Sequence, residues 1–329
     1  MADTERVTNE FPSSAPQSVV QLIRGWHNLR PEHRGCVLTI GNFDGVHRGH
    51  QRVVSQLAAI AKAHRLPSTL ITFEPQPQEF FAPVQAPARL TRFKEKIIAL
   101  SSLPIQRVLC LRFDHALAAL PAEAFIEELL VARLGARHVV VGADFRFGRD
   151  RKGDLALLAQ SGRRFGFGVA IMETCTIGGR RVSSTWVRAS LESGDFATAS
   201  QLLGRPYRLC GRVVSGDGRG AGLGFPTANI ALHRKAVPLS GVHVVRVYGI
   251  DERALPGVAN VGTRPTVGGT RALLEVHVLD FADDLYGQQV QVEFLRRLRP
   301  EQRFGSLEAL KTQIARDAGE ARAYFAAAR

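Results

Sequence analysis

The chain has 329 residues, 45% of them hydrophobic, and a formal net charge of +13. This is more chain than one ordinary core organises, so two domains are expected. No apolar run approaches the roughly 20 residues that cross a bilayer, which argues against a membrane partner, and the scattered basic residues come without a helix-turn-helix, zinc-finger or RNA-binding signature, which argues against a specific nucleic-acid partner.

Residues 1–18 are polar, with acidic Asp3, Glu5 and Glu10. They lack the basic-then-apolar order of a secretory signal and are expected to form a flexible leader. Cys36, Cys110, Cys175 and Cys210 stand far apart, with no C-x-x-C pair and no histidine at metal-site spacing. Neither a disulfide framework nor zinc is expected, and a reducing cytoplasm fits. No feature fixes an oligomeric state.

From Cys36 to about Phe196, short β-rich runs alternate with helical stretches, the order of a parallel α/β sheet. The expected strands are Cys36 to Ile40, Ser68 to Phe73, Arg107 to Leu111, His138 to Val141 and Phe167 to Met172. After His50, residues Val53, Val54, Leu57, Ile60 and Ala61 share one helical face, and Ala122 to Leu134 carries another. Gly204 and Pro206 break a helical stretch, so a linker is expected at Leu203 to Tyr207, dividing a domain over 19–203 from one over 204–329. Beyond it, β segments such as Leu209 to Ser215, Val242 to Tyr248 and Leu273 to Phe281 suggest a small barrel, closed by a helix at Leu307 to Phe325.

Gly41 to His50 read GNFDGVHRGH, directly between an apolar strand and a helix. Such a turn lies at the carboxyl edge of a parallel sheet and offers helix-start N–H groups to an anion. Taken singly, Gly41 and Gly45 are turn glycines, and His47 and His50 are surface or capping residues. Further on, Arg181 to Arg188 read RVSSTWVR, hydroxyls at a helix start followed by an arginine. Taken singly this is an ordinary N-cap.

Together the two strings resemble the G-x-F-D-x-x-H-x-G-H and I-S-S-T-x-x-R signatures of the nucleotidyltransferase superfamily, which attacks the α-phosphate of nucleoside triphosphates; Val182 stands where isoleucine is commoner. The resemblance implies that His47 and His50 are catalytic, contacting the triphosphate and stabilising charge as pyrophosphate leaves. It implies further phosphate or nucleotide contacts from Gly41, Asn42, Phe43, Asp44, Arg181, Ser184, Thr185 and Arg188. Pantetheine-phosphate, nicotinamide-nucleotide and cytidylyl-transferring relatives share these signatures. Two more strings narrow the second substrate: Thr72 to Phe81, TFEPQPQEFF, and Val141 to Asp154, VGADFRFGRDRKGD. Both are similar to segments of the FMN adenylyltransferase module of bacterial FAD synthetases, which implies a flavin contact from Phe73, Asp144, Phe145 and Arg146. Phe80 and Phe147 add flat apolar surface, and Arg149, Arg151 and Lys152 add charge.

Gly211 to Ile230 read GRVVSGDGRGAGLGFPTANI, a glycine-dense stretch that is neither a Walker A loop nor G-x-G-x-x-G. It resembles the riboflavin kinase signature ending in P-T-A-N. The resemblance implies ATP contacts from Gly211, Gly222, Gly224, Pro226, Thr227 and Asn229, with Thr227 and Asn229 holding Mg2+ as hard oxygen ligands. Ala221 stands where the family commonly has a basic residue. Glu275, in LLEVHVLDF, matches the segment carrying the proposed general base, and GVANVGTRPTVGG, DLYGQQVQVEFLRRLRPEQRF and SLEALKTQIARD extend the match. The whole resembles bacterial bifunctional riboflavin kinase/FAD synthetases. The implied fold is an N-terminal Rossmann-like nucleotidyltransferase domain followed by a small β-barrel kinase domain with a terminal helix. The implied partners are small molecules: riboflavin, FMN and FAD, with ATP as co-substrate.

Overall fold

The computed structural model describes residues 4–6, 20–216, 224–266 and 269–327, with the side chains of 4–6 and 264–271 left aside. Most of the leader 1–18, and Gly222, lie outside the described residues. The chain forms two compact units, one of residues 1–87 and 91–182, the other of 88–90 and 183–329.

In the first unit, strands β1 (Thr4–Arg6), β2 (Gln21–Arg24), β3 (Cys36–Ile40), β4 (Ser68–Glu74), β5 (Arg107–Arg112), β6 (Ala136–Gly142) and β7 (Gly168–Met172) form one sheet. Their order is β1-β2-β5-β4-β3-β6-β7. β1 runs antiparallel to β2, and the pairs from β2 to β7 are parallel. A parallel sheet covered on both faces has strands buried on both sides, and all five residues of β3 are buried. Alternate residues divide between two cores. Leu38, Ile71, Leu109 and Val139 pack with Phe125, Ile126, Leu129 and Leu158, while Val37, Leu70, Val108 and Val140 pack with Val54, Leu57, Ile97 and Leu100.

The helix after the first strand spans Arg48–Ala63 and buries Val53, Val54, Leu57 and Ala61, the face expected from their spacing. The stretch from Ala122 is helical as expected but not uniformly α: Phe125–Arg133 winds in wider turns, with the Leu134 N–H donating to the Leu129 carbonyl. Two further helices, Phe93–Ser101 and Leu155–Phe165, had no sequence expectation, nor did β2. Two short strands, β8 (Thr176–Ile177) and β9 (Arg180–Arg181), form a separate hairpin.

The second unit is a closed antiparallel barrel. Its strands are β10 (Arg208–Val214), β11 (Ala228–Ala231), β12 (Gly241–Tyr248), β13 (Leu255–Thr266), β14 (Gly269–Val278) and β15 (Gln289–Arg299), ordered β10-β11-β14-β13-β12-β15. Helices Ser184–Ser193 and Phe196–Leu203 group with it, and the Phe196 ring lies 5.5 Å from His243 and 6.0 Å from Phe294. The second of these helices ends at Gly204, and β10 begins four residues later. The terminal helix, Leu307–Ala327, buries Asp317, Ala318 and Ala321. Leu307, Leu310 and Ile314 share one helical face by their spacing, but Leu307 is 72% exposed and the other two are half-buried; Ala318 and Ala321 pack with Val244 and Leu279, and Tyr324 and Phe325 of the same helix pack against them.

Candidate active sites

The first site is the turn from β3 into helix Arg48–Ala63. Here the backbone is bent in an unusual way: Phe43 and Val46, which are not glycine, have φ of 49° and 44° on either side of Gly45. A β-branched residue in the left-handed region is a strained choice that persists where the surroundings enforce it, and such positions gather at ligand sites. The enforcing contacts are visible. Asp44, 3% exposed, accepts from the Thr91 N–H at 3.0 Å and the Thr91 hydroxyl at 3.2 Å, and that hydroxyl accepts from the Gly45 N–H at 3.0 Å. Asp44 thus holds the shape of the turn.

His47 is the N-cap of the helix; its Nδ1 accepts from the His50 N–H at 3.3 Å. The two imidazoles stack at 3.6 Å between centroids, with the Phe43 ring 4.9 Å from His50. The capping role that the bare histidines suggested is therefore present at His47, and it is what brings His50 face to face with it. Gly41 and Asn42 are half-buried at the mouth of the turn, where the helix-start N–H groups and dipole favour an anion.

Around this corner the flavin-side candidates divide. Phe73 meets Phe113 edge-on at 5.7 Å, and Phe80 and Phe81 lie 5.4 and 5.6 Å from the same ring. Phe81 is 66% exposed, an open aromatic surface whose single-residue signal in the sequence was no stronger than that of its neighbours. Phe147, by contrast, is 8% exposed and belongs to the core, stacked on the half-buried Phe145 at 5.3 Å. The guanidinium of Arg181 donates twice to the Asp144 carboxylate, at 2.8 and 3.1 Å. These hydrogen bonds hold the Asp144 carboxyl below the ordinary carboxylate range. Arg146 pairs with Asp154 at 3.2 Å, and Asp154 caps the helix Leu155–Phe165. Arg149, Arg151 and Lys152 are exposed.

Ser184, Thr185 and Arg188 occupy the helix Ser184–Ser193, which groups with the second unit. Its N-cap is Ser183, whose hydroxyl accepts from the Trp186 N–H at 3.2 Å, so the two hydroxyls that follow are not the capping groups. Arg188 donates from Nε to the Ala88 carbonyl at 2.6 Å.

The second site lies on the barrel. Asn229 of β11 stands directly opposite Glu275 of β14, and on the other side of Glu275 stands Asn260 of β13. Directly opposed residues share a face, with Cβ atoms about 5 Å apart. Leu274 and Val276 are fully buried while Glu275 is half-buried, so by the alternation of side chains along a strand this row points away from the barrel interior. Thr227 and Pro226 line a cleft of about 310 Å³ with Val278, Asp283, Asp284 and Tyr286. His277, which had no sequence expectation, donates from Nδ1 to the Pro226 carbonyl at 2.8 Å and so fixes the approach to Thr227. Gly211 is a packing glycine of β10, since a Cβ there would lie 2.5 Å from the Ala231 carbonyl oxygen. A Cβ on Gly216 would run into the Asn229 side-chain amide, so that backbone lies against it. Gly224 has φ +84 with open space beside it.

Residues 29–186 match the FAD synthetase family and residues 203–325 match the riboflavin kinase family. The bifunctional riboflavin kinase/FMN adenylyltransferase of Escherichia coli (strain K12) is 51% identical over 307 residues, covering 93% of this chain and 98% of the relative. The chain belongs to the bifunctional riboflavin kinase/FMN adenylyltransferase family. The family member from Pseudomonas fluorescens is 52% identical over 308 residues, with 93% and 98% coverage. A crystal structure described as a macrolide-efflux protein from Streptococcus pneumoniae shares 30% identity with a TM-score of 0.75, covering 92% of this chain and 98% of its own. That likeness supports the fold of this family over both units; among the described residues of this member no helix is long and apolar enough to cross a membrane.

Proposed function

We propose that this protein makes FAD from riboflavin in two ATP-dependent steps: phosphorylation of riboflavin to FMN at the barrel, then adenylylation of FMN, with release of pyrophosphate, at the parallel-sheet corner. What carries the proposal is the presence in one chain of two phosphate-handling corners of different construction. One is a strained strand-to-helix turn with stacked histidines; the other is a row of oxygen-bearing side chains with a carboxylate at its centre.

At the barrel, the carboxylate of Glu275 takes the proton of the riboflavin primary hydroxyl as that oxygen attacks the γ-phosphorus of ATP and ADP departs. Thr227 and Asn229 supply neutral oxygen donors, and with Glu275 beside Asn229 the donor set suits Mg2+, which takes hard oxygen ligands and keeps part of its water shell. A bound Mg2+ would neutralise polyphosphate charge there. The cleft beside Thr227 and Pro226 is the ATP site of this step, with His277 holding the Pro226 carbonyl in place.

At the corner, a phosphate oxygen of FMN attacks the α-phosphorus of ATP. The nucleophile is already an anion, so the turn has to orient and to stabilise charge rather than remove a proton. His47 and His50 meet the departing pyrophosphate, while Gly41, Asn42, Phe43 and Asp44 shape the nucleotide seat. Phe73 and Phe145 offer ring surface to the flavin and Asp144 and Arg146 its polar contacts, while Arg181, paired with Asp144, serves the phosphates. The protein works in the cytoplasm, where its four free cysteines stay reduced.

The test is a time course of purified protein with riboflavin, ATP and magnesium, separating riboflavin, FMN and FAD by chromatography. FMN appearing first and FAD after it is the expected result. FMN accumulating alone removes the adenylyl-transfer half, and untouched riboflavin removes the kinase half.

A further inference from the structure

Lysine is almost never fully buried, because its ammonium loses hydration that few interiors replace. Lys96, in the helix Phe93–Ser101, is 0% exposed. It is not there to pack a core, since Ile97 and Leu100 of the same helix do that. Its Nζ donates to Thr72 Oγ1 at 3.5 Å, and Thr72, also 0% exposed, donates from Oγ1 to the Asn42 carbonyl at 3.3 Å. An ammonium only donates, so Thr72 accepts from Lys96 and turns its own proton toward Asn42. The direction of this short chain is thereby fixed, and it ends on the GNFDG turn. On its other flank the same turn is held by Thr91 through Asp44 and Gly45.

We propose that Lys96 is a positioning residue of the adenylyl-transfer site, acting from beneath the turn on a nucleoside triphosphate and the pyrophosphate it releases. Through Thr72 it fixes the Asn42 carbonyl and so the strained backbone from Phe43 to Val46. The inference rests on the assignment of adenylyl transfer to this corner.

The test uses the full chain, whose kinase activity serves as an internal control for folding. Wild type is first given FMN, ATP and magnesium; absence of FAD overturns the assignment of the corner, and the role of Lys96 falls with it. Given wild-type FAD formation, Lys96→Met is expected to lower kcat/KM for ATP in that reaction about 10- to 100-fold, with KM for FMN and the riboflavin kinase rate within about twofold of wild type, while Lys96→Arg recovers most of the loss. Wild-type adenylyl transfer in Lys96→Met, an Arg variant as impaired as the Met variant, or parallel loss of both activities each overturns the proposal. Should Lys96→Met not fold, Thr72→Val cuts the chain of donors while leaving the charge. It is expected to lower kcat/KM for ATP several-fold, and an unchanged value overturns the proposal.

Discussion

The proposed chemistry assigns the two activities to His50 and Glu275, and these assignments predict opposite defects. His50→Ala removes the ring stacked on His47 and is expected to suppress FAD formation while FMN formation from riboflavin continues. Glu275→Gln keeps the shape of the side chain between Asn229 and Asn260 but cannot accept a proton. It is expected to lose FMN formation by about 100-fold or more while converting supplied FMN to FAD normally. Joint loss in either folded variant contradicts the two-site assignment. A third residue bears on stability alone. His243 is fully buried, its Nε2–H donating to the Ser240 carbonyl at 3.1 Å, and burial pushes its pKa from 6.5 down to about 4. The unfolded chain therefore binds a proton that the folded barrel refuses, so stability is lost as pH falls from 6.5 toward 4. Between pH 7 and pH 5 the loss is about 2 kcal/mol from this residue. Urea titrations at the two pH values measure it, and His243→Phe, packed against Phe196 and Phe294, is expected to flatten the dependence.

Elements whose function or burial leaves a strong local pattern were legible in the sequence. The apolar run of β3, the four-residue stripe of helix Arg48–Ala63, and the outward setting of Glu275 between buried Leu274 and Val276 all follow from periodicity. The family resemblance then supplied what periodicity cannot, the chemistry of the substrates. Other features were not legible because they depend on residues far apart in the chain. Thr91 and Lys96 carry no motif of their own; they matter because folding brings them to Asp44 and Thr72. Phe147 and Phe81 look alike in sequence, yet one is core and the other open. β11 is only four residues long and has its meaning from its neighbours β10 and β14. The terminal helix owes its attachment to such a distant pair as well: Arg299 of β15 donates from Nε and Nη2 to the Asp317 carboxylate at 2.8 to 3.1 Å, both groups largely buried. Asp317→Ala leaves that guanidinium unpaired and is expected to cost about 3 to 5 kcal/mol, read as a lowered urea midpoint with the kinase lost before adenylyl transfer.

For the molecule as a whole, both activities share a reagent rather than a mechanism. In the proposed chemistry one corner removes a proton from an alcohol and the other accepts a ready anion, but each must balance polyphosphate charge. Chelation with EDTA is therefore expected to stop both reactions, and added Mg2+ to restore both; survival of either in chelator separates that site from the metal. The two units also differ in what they show to other molecules. The barrel is closed, each strand paired on both sides, whereas among the described residues the sheet of the first unit ends at β1 and β7. A free edge presents unpaired N–H and C=O groups, a template on which another chain can add, and Ile171 of β7 is 51% exposed along that edge. Ile171→Lys is expected to raise the temperature at which the protein precipitates, followed by light scattering, with both reaction rates unchanged; an unchanged onset places the associating surface elsewhere.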